Sequence, residues 1–317
     1  MNNKEKIELL NIRINNCNLY LDRLPKKLYK YRPFDNYTFD MLENNYIYLC
    51  PAKNLDDETE CNMNFDLKMY YDLETNMVTK QIVDIILDYI KPNIIEENYL
   101  KIKEIVYSTI DNNGKLHFNK LFENICELQK LSNNEFAPIL NYLANIPEVM
   151  NQEKIKNKFN QFISGAYLAK EKFGICSLAE SGENEYMWKN YANNDTGYCI
   201  EYNLENYENL KDLLPVVYDD VRENNVIVQV MKTFISQMIM NLSNNEVVSD
   251  RTHYLRLYLT KNTIWQYQKE WRIIGEANEK LKSPKVSKII LGKNVSKENE
   301  EKIRKYVVDK NIIIEKN

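Results

Sequence analysis

Strand-forming segments flank residues 67–172 of this chain but do not occur within them, and that interruption constrains the fold more than any other feature. Within the interruption, Ile82, Ile85, Ile86, Tyr89 and Ile90 recur at helical spacing, as do Ile102, Ile105, Val106 and Ile110. Further helical runs fit 118–130, 134–145 and 150–171, and the one strong turn signal is DNNG at 111–114. The pattern reads as a helical insertion at 67–172 within a single domain of residues 1–317, not as a linked second domain.

The flanking segments are mixed. Residues 3–24 place Ile7, Leu10, Ile14 and Leu21 roughly on one face, a helix that Pro25 ends. LYKY (28–31) reads as a strand broken by Pro33, Asn36 as the cap of a helix over 37–44, and YIYLC (46–50) as the next strand. Strand signals return at FGICSL (173–178), GYCIEYN (197–203), PVVYD (215–219), EWRIIGE (270–276), VSKIILG (286–292) and NIII (311–314). Helices fit 225–242 and 249–263, and Ser296 caps one whose first turn carries Glu298, Glu300 and Glu301. Without regular βαβ alternation the class is α+β, with a mixed or mostly antiparallel sheet system and the large helical insertion packed on it.

Charge and residue usage narrow the function classes. Lys+Arg is 42 against Asp+Glu 46, a net −4, so no basic face for general nucleic-acid binding is expected. With only 7 glycines and none of the phosphate-loop patterns, a Gly-rich nucleotide cradle is absent from the sequence. Cysteines at 17, 50, 61, 126, 176 and 199 form no C-x-x-C pair, and His117 and His253 stand apart, so no metal is expected. The two histidines read as solvated surface groups. No signal peptide and no stretch of about 18 uncharged apolar residues is found, so a cytoplasmic chain with reduced thiols and no membrane association is expected.

Three clusters carry chemistry. In LYKYRP (28–33), Arg32 ends a strand where a guanidinium can meet a phosphate or carboxylate, or pair with a surface acid. Around Cys176-Ser177-Leu178 and MWKNYA (187–192), Trp188 and Tyr191 are spaced to share a helix face, as a stacking platform or as core aromatics. In WQYQKEWRII (265–274), strand alternation puts Glu270 and Arg272 on one face and Trp271 and Ile273 on the other. That pair suits a catalytic carboxylate beside a guanidinium, or a structural salt bridge.

The order of these clusters resembles a bacterial family known as domain of unknown function 2971. Its motifs correspond here to LYKYR (28–32), LDDETE (55–60), ICSLAES (175–181), MWKNYANNDTGYCI (187–200), WQYQKEWRII (265–274) and IILG (289–292). The chain departs from that pattern at Asp56-Asp57-Glu58, at Asn190 and Asp195, where the family has histidines, and at Gln268. Arg32, Ser177 and Gln268-Lys269-Glu270 also follow the order of charged and polar residues in ADP-ribosyltransferases.

That second resemblance implies cleavage of the nicotinamide–ribose bond of NAD and modification of an unknown macromolecular acceptor, in phage defence or as a toxin. Glu270 and Gln268 would be catalytic, the carboxylate stabilising an oxocarbenium-like sugar. Arg32, Tyr31, Ser177, Trp188 and Tyr191 would bind NAD, with Arg32 opposite Glu270 across a cleft. The alternative is a non-enzymatic sensor that binds a nucleotide or a partner. A purely structural role for the motifs, or a metal nuclease on Asp56, Asp57 and Glu60, are further readings.

Overall fold

The computed structural model describes residues 1–55, 57, 60–61, 96–117, 171–220, 253–308 and 310–317, with positions 80, 83, 84, 87, 88, 91, 120, 123, 124, 160, 161, 164, 165 and 228. The chain divides into two compact units, one of residues 1–62, 169–222 and 258–317, the other of 63–168 and 223–257. In the second unit the helix Glu96–Ser108 buries Ile102 and Val106, as their spacing requires. Its DNNG segment is a turn, with Asp111 Oδ1 accepting from the backbone of Asn113 and Lys115 at 2.9 Å each and Gly114 at φ 78°. The expected helices over 118–130, 134–145, 150–171 and 225–242, and the Ile82–Ile90 stripe, lie almost wholly outside the described residues.

The first unit is built on strands β1 (Lys27–Arg32), β2 (Tyr46–Tyr48), β3 (Cys50–Pro51), β4 (Phe173–Ala179), β5 (Tyr198–Asn203), β6 (Leu213–Pro215), β7 (Val217–Tyr218), β8 (Thr260–Lys261), β9 (Glu270–Glu276), β10 (Lys280–Lys282), β11 (Lys285–Leu291) and β12 (Ile313–Lys316). Among the described residues an eight-stranded sheet runs β12-β11-β5-β1-β4-β9-β6, with β3 added beside β4. Only the β11–β12 pairing in it is parallel, so the class is α+β with a mixed, mostly antiparallel sheet. β5 is buried over Tyr198–Tyr202, which is why its sequence runs apolar instead of alternating. Its one carboxylate, Glu201, is satisfied by Lys27 at 2.7 Å, Tyr29 at 3.0 Å and Ser287 at 2.8 Å.

Four local expectations are corrected. The YIYLC segment divides: Tyr46–Tyr48 pairs with β10 in a separate two-stranded sheet, and only Cys50–Pro51 joins the main one. The N-terminal helix breaks at Asn16, whose backbone ends Asn3–Asn15 and whose side chain caps Cys17–Asp22. Asn36 caps nothing; Asp35 Oδ1 accepts from Tyr37 N at 2.9 Å at the start of Thr38–Glu43. The helix expected over 249–263 is described at His253–Leu259, followed by β8 and a 3-10 helix at Thr263–Gln268. The Ser296 cap is present, with Ser296 Oγ accepting from Asn299 N at 3.2 Å.

Three consecutive left-handed residues, Asn193, Asn194 and Asp195 at φ 48°, 53° and 64°, turn the chain out of the helix Glu185–Tyr191 toward β5. Gly197 follows because a Cβ there would stand 2.2 Å from the carbonyl oxygen of Arg32. We expect Gly197→Ala to lower stability by about 2 kcal/mol or more, since backbone must move to admit the methyl group; a melting curve superimposable on wild type would contradict the packing.

Candidate functional site

β4 and β9 pair along their full length, from Phe173↔Glu276 to Ala179↔Glu270, whereas β1 touches β4 only at Tyr29↔Ala179. β3 takes the other end of the same edge at Cys50↔Ile175. Between these contacts β1 and β3 leave part of the β4 edge open, and Lys30 Nζ donates to the Ser177 carbonyl there at 2.8 Å. A cavity of about 220 Å³ lies over this part of the sheet. Its floor is the period-two face of two strands: Ile175, Ser177 and Ala179 from β4, Glu270 and Arg272 from β9. Tyr31 of β1, Met187 and Tyr191 of the helix Glu185–Tyr191, Trp265 and Gln268 of the 3-10 helix, and Asp57 complete the walls.

Four charged side chains form a closed ring at one side of the floor. Arg272 Nε donates to Glu270 Oε1 at 2.7 Å, and its terminal nitrogen bonds Glu60. Lys261 Nζ lies 2.7 Å from Glu60 and 3.0 Å from Glu270. All four are buried, from 1% exposed for Arg272 to 7% for Lys261. The remaining guanidinium nitrogen donates to the Tyr258 carbonyl at 2.7 Å. Burial would raise the Glu270 carboxyl, but the charges of Arg272 and Lys261 outweigh it and hold the group well below the usual carboxylate range, with the Ser177 hydroxyl also favouring the charged form. Arg272 is likewise pushed up by Glu270 and Glu60 against the opposing effect of burial. The two negative and two positive charges cancel, so a cation entering the cavity meets little net attraction from this ring.

The side chains expected in a site divide. Glu270, Gln268, Ser177, Tyr191 and Tyr31 all line the one cavity. Gln268 reaches it by an unexpected route: it ends the 3-10 helix rather than lying in the strand, and Lys269 at φ 43° makes the turn into β9. Its Nε2 donates to Tyr191 Oη at 2.8 Å. The Tyr31 hydroxyl is engaged structurally, donating to the Ser181 carbonyl at 2.9 Å and accepting from Asn184 N at 3.2 Å.

Arg32 and Trp188 are corrections in placement. Arg32 does not line the cavity; at the end of β1 it pairs with Asp35 at 2.9 Å instead of standing across from Glu270. Trp188 is 1% exposed, edge-on to Tyr31 at 5.3 Å, with Nε1 on the Gly182 carbonyl at 2.9 Å. The helix pair that faces the cavity is Met187 and Tyr191, four apart, not Trp188 and Tyr191.

Sequence reasoning missed Lys261, Lys30 and Trp265 as cavity residues. Trp265 is half-buried, its Nε1 on Asp57 Oδ2 at 3.2 Å and its ring 5.4 Å from Lys261 Nζ. Its place in the WQYQKEWRII motif was a usable signal. Glu60, considered as a metal ligand, is held by Arg272 and Lys261, and Asp56 lies outside the described residues. Among the described residues no group of three or more His, Cys, Asp or Glu side chains is placed to hold a metal, and no helix is long and apolar enough to cross a membrane.

No curated protein and no solved structure matches the chain. Residues 187–273 match the model of a family described as protein of unknown function (DUF2971). The matched stretch, under a third of the chain, carries the helix of Met187 and Tyr191, the glycine turn into β5, and the Lys261, Gln268, Glu270 and Arg272 side of the cavity.

Proposed function

We propose that the cavity binds a small nucleotide-class molecule, a flat ring joined to a ribose-sized polar part, and that the chain acts as a ligand-responsive partner-binding protein. The observation that carries this reading is the convergence of four aromatic side chains, Tyr29, Tyr31, Tyr191 and Trp265, with Gln268, Ser177, Lys30 and Lys261 on one cavity. Aromatic faces suit ring stacking, and a few fixed polar groups suit orientation. A volume of about 220 Å³ is below the usual range for whole ligands, so a ring and its sugar are enclosed and the rest of a dinucleotide would lie outside. Binding to the native state alone raises the melting temperature with ligand concentration. The expected result is a concentration-dependent rise with adenosine, ATP or NAD that Tyr191→Ala abolishes; no rise with any of them would overturn the reading.

The transferase reading is favoured by one observation, that Glu270, Gln268, Ser177 and Tyr191 share the cavity. Against it stands the locked carboxylate, both of whose oxygens already accept from Arg272 and Lys261. Incubation with NAD labelled in its nicotinamide separates the two. Binding without nicotinamide release supports the ligand-responsive protein. Release that falls about a hundredfold or more in Glu270→Gln, the size of losing one preorganised electrostatic contact, supports cleavage of the nicotinamide–ribose bond with Glu270 as the catalytic carboxylate.

A further inference from the structure

We infer that Gln268 selects a ligand whose ring edge presents an N–H donor, an exocyclic amine or a carboxamide, over the same ring bearing a carbonyl or carboxylate there. The inference rests on the cavity being a ligand site. Gln268 is 4% exposed, and the left-handed Lys269 that follows it fixes its backbone at the end of the 3-10 helix. Its amide is anchored from one side, by donation from Nε2 to Tyr191 Oη at 2.8 Å. Among the described residues, no donor meets its Oε1. The side chain borders the cavity, so the carbonyl oxygen is presented there as an acceptor.

Water reaching the cavity can meet this acceptor, and a ligand that displaces that water must supply a donor in its place or leave the oxygen without a hydrogen bond. A ligand N–H satisfies it. A ligand carbonyl in the same place sets two acceptors against each other, and a carboxylate adds a charge to that conflict. Of the other carboxylates on the cavity, Glu270 and Glu60 are bonded to Arg272 and Lys261, and Asp57 accepts from Trp265 Nε1. Two ring chemistries carry the required N–H beside an acceptor, the adenine edge and the pyridine carboxamide, and the probes separate them.

The test is calorimetric titration with two matched pairs, adenosine against inosine and nicotinamide riboside against nicotinic acid riboside. The amine or amide member of at least one pair is expected to bind about tenfold or more tightly, the size of one buried hydrogen bond gained against one acceptor left unmet. Whichever pair shows the preference identifies the ring. In Gln268→Met, similar in length but without the amide, the preference should shrink to within about twofold while the melting temperature shows the protein folded. Should that variant fail to fold, Tyr191→Phe, which removes the anchor of Nε2, should narrow the same preference. Equal binding of both members, or tighter binding of inosine or of the acid, overturns the inference and leaves the ligand site standing. If all four fail to bind, the inference falls, and the ligand site falls with it only where ATP and NAD also fail to bind.

Discussion

Arg272→Leu should unfold with about 3–5 kcal/mol less stability than wild type, the largest loss expected from any substitution outside the aromatic core. The guanidinium is 1% exposed and bonds Glu270, Glu60 and the Tyr258 carbonyl, so removing it leaves two buried carboxylates to share one lysine. An exposed pair provides the contrast. Arg304 bonds Glu300 at 2.7 Å with 57% of its side chain exposed, and Arg304→Leu should change stability by no more than about 1 kcal/mol.

The pH dependence follows from the sign of the Glu270 shift. Its folded carboxyl lies below the ordinary value, so the stability it contributes is fully present above that ordinary value, about 4.3, and is lost as pH falls toward the folded value. Wild type should therefore weaken below about pH 4. In Arg272→Leu the larger of the two charges that depress the Glu270 carboxyl is gone, and protonation now relieves buried like charges. The gap between the two proteins should narrow as pH falls. Chemical denaturation at pH 7, 5 and 3.5 checks this, and a gap that widens toward acid would contradict the ring.

Trp188→Ala should cost about 3–5 kcal/mol, as for other large-to-small changes at a fully buried aromatic. The indole is 1% exposed, packs edge-on against Tyr31, and satisfies the Gly182 carbonyl through Nε1. The loss is expected in stability and not primarily in affinity, because Trp188 stands behind Tyr31 rather than at the cavity wall. Urea denaturation beside a binding titration at low temperature separates the two effects. A Trp188→Ala protein with unchanged melting and abolished binding would return Trp188 to the role of stacking platform.

Strand alternation in EWRII made the shared face of Glu270 and Arg272 legible, and the two do meet at 2.7 Å. What closes the ring was not legible, because Glu60 lies more than 200 positions before Arg272 and only the tertiary fold brings them together. Arg32 was misplaced across from Glu270, since strand geometry gives the alternation of faces but not which face looks onto the cavity. Trp188 and Tyr191 illustrate the same limit on a helix. Three-residue spacing put them on one face, yet the four-residue pair Met187 and Tyr191 is the one turned to the cavity. The separation of Gln268 from β9 was not legible, because the sequence shows no sign of Lys269 adopting a left-handed backbone, which is uncommon outside Gly, Asn and Asp. The glycine turn at 197, by contrast, stood in the motif itself, and the structure supplies its reason in the Arg32 carbonyl 2.2 Å from where a Cβ would be.

The central claim is that Tyr191, Trp265 and Gln268 enclose a binding site for a ring and its sugar. Calorimetric titration of adenosine, nicotinamide riboside and NAD into wild type, Tyr191→Ala and Trp265→Ala tests it most directly. The expected result is saturable binding of at least one of them at one site per chain, weakened about tenfold or more in each variant, the size of one lost stacking contact of roughly 1–3 kcal/mol. Absence of binding to wild type by all three ligands, or affinity unchanged in both variants, would contradict it.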